Sequence, residues 1–255
     1  VAAAPLDVLI CGAGPAGVAT AVALASRSPG VAGRMICLDR ARFPRAKPCG
    51  GGLTGHARGA LEALGLGVRV ARVSCDSGRL VYGAARADVP LAHPVDIVRR
   101  EDFDADLVAQ ARARGIEIVE GEGMASLVVD RTAGLVRVTT SAGRELRARV
   151  VVGADGVGSR VRKTLLSGVT ETRLPLRLYK AELAAPSELT LGRRMIYDFS
   201  AMDRGLRGYV WLFPVAGGRI NVGAMHYPSR YQSAAALERA LADCLARHGV
   251  ALTER

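Results

Sequence analysis

Apolar positions along the chain change period several times, and each change marks an element. Leu6–Cys11 is a short, mostly apolar run that leads into Gly12, Gly14 and Gly17, and an apolar helical pattern takes over from Pro15. That order predicts a buried strand passing through a tight turn into a helix. Arg34–Leu38 reads as a second strand and Gly55–Gly65 as a short helix ending at glycine. Arg100–Ala111 reads as a helix with acids in its first turn, where the dipole favours them, closed by Gly115 and followed by a strand at Ile116–Val119. Strand–helix–strand therefore recurs, and a parallel sheet is expected. Gly134–Thr140 and Glu145–Val152 alternate like an antiparallel pair turned at Ala142-Gly143.

Between Val68 and Val98 the chain alternates, with Arg79–Tyr82 and Ile97-Val98 as strand candidates and Pro90 and Pro94 breaking the segment between them. From Leu174 the alternating runs lengthen: Leu176–Leu183, Met195–Phe199, Gly208–Phe213 and Arg219–Met225. They predict the antiparallel sheet of a second domain. Ala234–His248 places Leu237, Leu241, Cys244, Leu245 and His248 on one helical face, stopped by Gly249.

The first turn carries candidate chemistry. Gly12, Gly14 and Gly17 have the G-x-G-x-x-G spacing: the first allows the turn, the second lets backbone approach a phosphate, the third lets helix close on strand. Pro15 suits the first helical position, whose free N–H groups face an anion. Asp39 closes the second strand about 22 residues past Gly17, where a carboxylate can hold ribose hydroxyls. An ordinary turn and a surface acid would explain each piece singly, but strand, glycines, helix and acid together favour a dinucleotide site.

Arg40–Leu53 is turn-rich, with Arg40, Arg42, Arg45 and Lys47 able to neutralise phosphates and Gly50, Gly51 and Gly52 able to lie flat against a planar ligand. Composition alone equally describes a flexible loop with solvated charges, and Cys49 by itself reads as an inert thiol. Asp155-Gly156, at the end of the apolar Val150–Val152 run and with Ser159 as a helix cap, reads as a second strand-end ligand site, although taken alone the pair is just a turn. Tyr209, Trp211 and Phe213 share one strand face, either as core or as the wall of an apolar pocket. Spacing alone favours core.

Composition narrows the classes. At 255 residues and 49% hydrophobic, the chain can bury a large core. Its net charge of +11 is nearly all arginine, Lys47, Lys163 and Lys180 being the only lysines. Without a basic tract interleaved with aromatics, which are only 4%, no nucleic-acid partner is expected. Codon bias explains the arginines more simply than attraction to phosphates or an acidic membrane. Cys11, Cys37, Cys49, Cys75 and Cys244 are odd in number and form no C-x-x-C pair, which points to reduced thiols and a cytoplasmic setting. His56, His93, His226 and His248 lack metal-ligand spacing, so no metal site is expected. The uncharged stretch Val8–Ser26 imitates a membrane span, and Ala23-Leu24-Ala25 a signal cleavage site. Pro15 and three glycines interrupt the stretch, and no Lys or Arg precedes it.

Together the motifs resemble a known group. Gly12-Ala-Gly-Pro-Ala-Gly17, Arg100-x-x-Phe103-Asp104 and Asp155-Gly156-x-x-Ser159-x-x-Arg162 are similar to the FAD-binding motifs of flavoproteins that include the para-hydroxybenzoate hydroxylases. Within that group, Lys47-Pro48-Cys49-Gly50-Gly51-Gly52-Leu53 and Tyr209-Val210-Trp211-Leu212-Phe213-Pro214 resemble the signature of the geranylgeranyl reductase family. The resemblance implies an α/β fold: a Rossmann-type FAD-binding domain over residues 1–70 and 96–165, interleaved with an antiparallel β-sheet substrate domain over 71–95 and 166–255. It implies FAD-dependent reduction of C=C bonds in a geranylgeranyl, polyprenyl or related isoprenoid, with NAD(P)H or another reductant as electron donor. Gly12, Gly14, Pro15, Ala16, Gly17, Asp39, Arg40, Arg100, Asp155, Gly156, Ser159 and Arg162 would surround the FAD. Cys49, Gly50, Gly51, Gly52 and Leu53 would lie beside the isoalloxazine, the first three taking part in catalysis, and Tyr209, Trp211, Phe213 and Pro214 would line the prenyl tunnel. The resemblance thus reverses the bare readings of Cys49 and of the aromatic face.

An apolar small-molecule partner follows, with peripheral membrane contact left open and no oligomeric state specified. Two departures stand out. Gly223-Ala224-Met225 keeps only the first glycine of the family's G-x-G, and the later Gly-Asp motif of these flavoproteins is not found before Arg255. The substrate domain is accordingly expected to be incomplete at its C-terminal end. A flavin monooxygenase or halogenase acting on an aromatic compound, and a non-catalytic remnant or fragment, are the alternative readings. NAD as primary cofactor finds no second glycine fingerprint.

Overall fold

The computed structural model describes residues 4–168, 176–186, 189, 191–227 and 233–250. Val1, Leu174, where the second pattern was expected to begin, and Arg255 lie outside them. In chain order the elements are β1 (Leu6–Cys11), α1 (Pro15–Arg27), β2 (Met35–Asp39), β3 (Gly52–Leu53), α2 (Gly55–Ala63), β4 (Arg72–Tyr82), β5 (Ala85–Val98), α3 (Arg100–Arg112) and β6 (Glu117–Glu120). There follow β7 (Met124–Asp130), β8 (Leu135–Thr140), β9 (Glu145–Gly153), α4 (Arg160–Leu165), β10 (Arg177–Ala184), β11 (Arg194–Asp198), β12 (Gly208–Val215), β13 (Arg219–His226) and α5 (Ala234–Arg247). The chain forms two compact units.

The first unit comprises Val1–Arg45, Ala60–Arg69 and Glu101–Glu171. Its sheet has the order β6-β2-β1-β9-β8-β7, parallel from β6 to β9 and antiparallel beyond. Successive residues of β1 point to opposite faces, and Leu9 and Ile10 are both 0% exposed, so the sheet is covered on both sides. Leu9, Cys11, Leu38, Val138 and Ala148 form the core on one face, where Val161 of α4 packs. Helix α1 buries Val18, Ala21 and Val22. Full burial of a valine is worth about 1.5–3 kcal/mol over exposure, which outweighs the weak helix propensity of a segment with Gly17 in its first turn. Strand β7 was not expected: a register shift between Met124 and Ser126 and the adjacent exposed Val128 and Val129 hide its alternation.

The second unit comprises Ala46–Gly59, Val70–Arg100 and Thr172–Arg255, around a sheet ordered β10-β13-β12-β11-β4-β5-β3. Residues 46–59 and 96–100, assigned above to the nucleotide domain, pack here because β3 pairs with the end of β5, Gly52 opposite Ile97 and Leu53 opposite Asp96. The sheet is not wholly antiparallel, since β11 runs parallel to β4 with Tyr197 opposite Leu80. Nor do Pro90 and Pro94 break the segment before Val98, because β5 continues through both. Over Ala85–Val95 its ladder runs to β4 alone, so a missing N–H is tolerated on the open side, and Leu91–Pro94 bulge out opposite Asp76. On one sheet face Val210, Leu212, Val222 and Ala224 pack against Leu237, Leu241 and Leu245 of α5. Trp211 and Phe213 lie on the other, with Cys75, Ile97 and Met195. Among the described residues no helix is long and apolar enough to cross a membrane.

Candidate functional site

In the first unit the glycine turn is required by its own backbone. Gly12 has φ +109°, donates to the Leu38 carbonyl at 2.7 Å, and would place a Cβ 2.3 Å from the Ala154 carbonyl oxygen. A Cβ on Gly17 would fall 1.7 Å from the Gly12 carbonyl oxygen. Gly14 differs, because a Cβ there meets only Arg45 Nη2, at 3.3 Å. The middle glycine therefore keeps open a surface that the backbone itself leaves free. Pro15 opens α1 immediately after it, Ala16 is exposed, and no acid neutralises the helix's first turn.

Asp39 braces this turn. Its Oδ2 accepts from Ala13 N and its Oδ1 from Ala41 N, both at 2.9 Å. Each carboxylate oxygen keeps a second lone pair for a ligand hydroxyl. Of the cations that follow, Arg40, Arg42 and Lys47 are exposed, while Arg45 reaches back to Asp104 on α3 at 3.1 Å and stacks over Phe43. Asp104 is fully buried. Sequence reasoning had no means of choosing Arg45 among four cations, because what singles it out is an acid on α3, distant in sequence.

At the end of β9, Asp155 Oδ2 accepts from Arg160 N at 2.6 Å and from Val161 N at 3.3 Å. Its Oδ1 is buried without a hydrogen-bond partner among the described residues. Gly156 has φ +79°, and Ser159 caps α4 by accepting from Arg162 N, as expected. Arg162 in turn donates to the Val157 carbonyl. Arg100 begins α3 and is half-buried. An open Gly14 surface, a helix N-terminus free of acid and an orphaned carboxylate oxygen fit a ligand bearing a diphosphate and hydroxyls.

The second unit holds the other expected residues. Gly51 has φ +80°, and a Cβ there would lie 2.1 Å from the Val98 carbonyl oxygen; one on Gly50 would lie 2.8 Å from Phe213 Cε2. Gly52 and Leu53 form β3. The Cys49 loop is thus fitted against the aromatic face rather than free in solvent. Tyr197, absent from the sequence reading, joins that face, its ring centroid 5.5 Å from Tyr209 and 5.2 Å from Phe213. Burial pushes its hydroxyl up to about 12. Asn221 was also missed: it accepts from Trp211 Nε1 and donates to the Cys49 carbonyl, both at 2.9 Å. Its only sequence signal is its place in the β13 alternation, opposite Phe213. Pro214 is not with the aromatic trio, since the strand's period of two turns it to the other face. Burial pushes the thiols of Cys11, Cys37 and Cys75 up to about 12 and that of Cys244 higher still, while Cys49 is half-buried.

One cluster gathers ligand-type groups that histidine spacing in the sequence did not indicate. Asp198, Cys244 and His248 bring ligand-type atoms within 4.8 Å of one another. Asp198 is already engaged, however, by Ser200 N at 2.8 Å, His248 Nε2 at 3.1 Å and Arg247 Nη2 at 3.4 Å. A guanidinium at that distance opposes a second cation, and the cluster acts as an anchor for α5.

A parallel sheet with a glycine turn, a helix N-terminus and two strand-end carboxylates defines a dinucleotide-binding protein of the doubly wound class. The chain belongs to the FAD-binding domain family, whose model matches residues 5–197. Among curated relatives it is 31% identical over 232 residues to menaquinone reductase of Mycobacterium tuberculosis, covering 85% of this chain and 54% of the relative. It is 28% identical over 220 residues to digeranylgeranylglycerophospholipid reductase 2 of Methanopyrus kandleri, with the same two coverages. The chain thus spans about half the length of the curated relatives it matches. Its fold is that of a flavoprotein/dehydrogenase from Cytophaga hutchinsonii (TM-score 0.75, 21% identity, 96% of this chain and 63% of that one). A p-nitrophenol 4-monooxygenase from Pseudomonas putida superposes comparably (TM-score 0.74, 20% identity, the same coverages).

Proposed function

We propose that the protein is an FAD-dependent reductase of carbon–carbon double bonds in a geranylgeranyl or other polyprenyl chain. The observation that carries this reading is the Cys49–Gly51 backbone packed against Trp211 and Phe213, a glycine loop beside a water-poor aromatic wall. The relatives' names support the same class, both being reductases and one naming a geranylgeranyl lipid. When bound, reduced FAD would supply hydride to one alkene carbon while a proton from water completes the other, the electrons coming from NAD(P)H or another reductant.

The chain's own residues bind, orient and exclude water. Gly12, Gly14, Gly17 and the start of α1 receive the diphosphate, and Arg45 offsets its charge. Asp155 Oδ1 and the remaining lone pairs of Asp39 take hydroxyl groups. Cys49, Gly50 and Gly51 offer a flat backbone to a planar ring, while Tyr209, Trp211 and Phe213 hold an apolar chain by dispersion in a dry surround. A cytoplasmic protein touching the membrane that stores such a substrate belongs to the same proposal.

The test is to give the complete protein a reduced-flavin donor and a geranylgeranyl lipid and follow product mass. A gain of H2 per reduced bond supports the reading. No gain with any prenyl substrate, together with oxygen consumption stimulated by an aromatic compound, would favour the monooxygenase or halogenase class instead. A colourless protein that takes up no flavin would overturn any catalytic reading of this chain.

A further inference from the structure

Asn221 lies on β13 and is 3% exposed. Both ends of its amide are used, Oδ1 accepting from the Trp211 indole N–H and Nδ2 donating to the Cys49 carbonyl. Rotating the amide by half a turn would set donor against donor and acceptor against acceptor, so its orientation is fixed by its partners. The Cys49–Gly50 peptide is trans, and holding its carbonyl toward Asn221 turns the Gly50 N–H the opposite way. One buried side chain therefore sets both the direction of a loop peptide and the tilt of an aromatic ring. We propose that Asn221 is a positioning residue that locks the Cys49–Gly50 peptide to the Trp211 face, so that loop and aromatic wall form one rigid surface.

The catalytic meaning of that surface rests on the reductase reading, but its rigidity does not, and the two are measured separately. Trp211 is the only tryptophan, and Cys49 is the one cysteine of five that is not buried. Indole fluorescence and thiol labelling by an aromatic disulfide each report on one partner of Asn221, without flavin or substrate.

Asn221→Leu removes both hydrogen bonds while keeping similar bulk. It is expected to accelerate labelling of Cys49 by about five- to tenfold, the effect of losing one internal hydrogen bond, and to raise acrylamide quenching of Trp211. The four buried thiols keep their slow rates. Acceleration of all five thiols together means that Asn221 serves stability in general, and an unchanged Cys49 rate means that it holds nothing; either result overturns the proposal. If Asn221→Leu does not fold, Trp211→Phe decides: it removes the indole N–H together with the bulk of the pyrrole ring, and is expected to speed Cys49 labelling about two- to fivefold while the four buried thiols keep their slow rates, an unchanged Cys49 rate or acceleration of all five thiols being the overturning result. If both variants behave as expected while the complete protein reduces no prenyl substrate, the reductase reading fails alone.

Discussion

The Trp211 indole lies so close to Gly223, its cross-strand neighbour, that a Cβ on that glycine would fall 2.2 Å from Cζ2 and 2.4 Å from the Tyr179 carbonyl oxygen. The ring can yield, but the carbonyl is backbone. Gly223→Ala is expected to destabilise the fold by about 1–3 kcal/mol through overpacking and to shift the emission of the sole tryptophan to longer wavelength. Urea unfolding followed by fluorescence measures both, and an unshifted spectrum with unchanged stability would refute the contact.

The three glycines of the first turn should separate cleanly. Gly17→Ala puts a methyl group into the Gly12 carbonyl, so little folded protein is expected from expression. Gly14→Ala meets only the guanidinium tip of Arg45, which needs to give by a few tenths of an ångström, and its unfolding free energy should stay within about 1 kcal/mol of the parent. Its flavin affinity, read from quenching of flavin fluorescence, should nonetheless fall about tenfold or more, because the methyl group occupies the surface kept for phosphate.

Arg45 and Asp104 should be coupled. A double-mutant cycle with Arg45→Met and Asp104→Asn is expected to give an interaction energy of about 1–3 kcal/mol in unfolding experiments. Arg45→Met should also weaken flavin binding more at low salt than at high salt, as a phosphate contact does. Additive stabilities and a salt-independent loss would remove Arg45 from the site.

Asp198 sets a pH dependence. Burial pushes its carboxyl up, but hydrogen bonds from His248, Ser200 and Cys244 more than offset this and hold it well below the ordinary value of 3.8. A carboxyl whose folded pKa is depressed stabilises the fold above its unfolded pKa, and that stability is lost as pH falls toward the folded value. Asp198→Asn should therefore cost about 2–4 kcal/mol at pH 7, with the gap to the parent protein narrowing steadily below about pH 4. Urea unfolding at several pH values tests the sign, and a gap that widens in acid would contradict it.

Much of this was legible in the chain. β1, α1, α3, β8, β12, β13 and α5 follow from periodicity, because each buries one clear face or a continuous apolar run, and β9 follows from its apolar run although Val150 within it is 51% exposed. The cradle followed from spacing, since Gly12 and Gly17 meet backbone that lies beside any strand–turn–helix of this kind. What escaped depends on partners distant in sequence. Arg45 is chosen by Asp104, Asn221 by Cys49 and Trp211, and the parallel alignment of β11 by β4. Pro90 and Pro94 misled for the same reason, because a proline forbids a strand only where a second neighbour needs its N–H. Met225 stands where the resemblance leads one to expect a second glycine, and it lies opposite Tyr209 rather than Trp211, so the need that fixes Gly223 does not arise.

The pairing of β4 with β11 also dictates an order of events at the ribosome. Ser77 aligns with Arg194, so the β4–β5 hairpin emerges long before its neighbour in the sheet exists. At roughly 5–20 residues per second, the wait is on the order of ten seconds. During that interval the side of β4 that β11 will cover is an unpaired edge, and such edges invite pairing with other nascent chains. A cell making this protein quickly would be expected to need a chaperone during that interval, and slowing translation before Arg194 would lengthen the exposure.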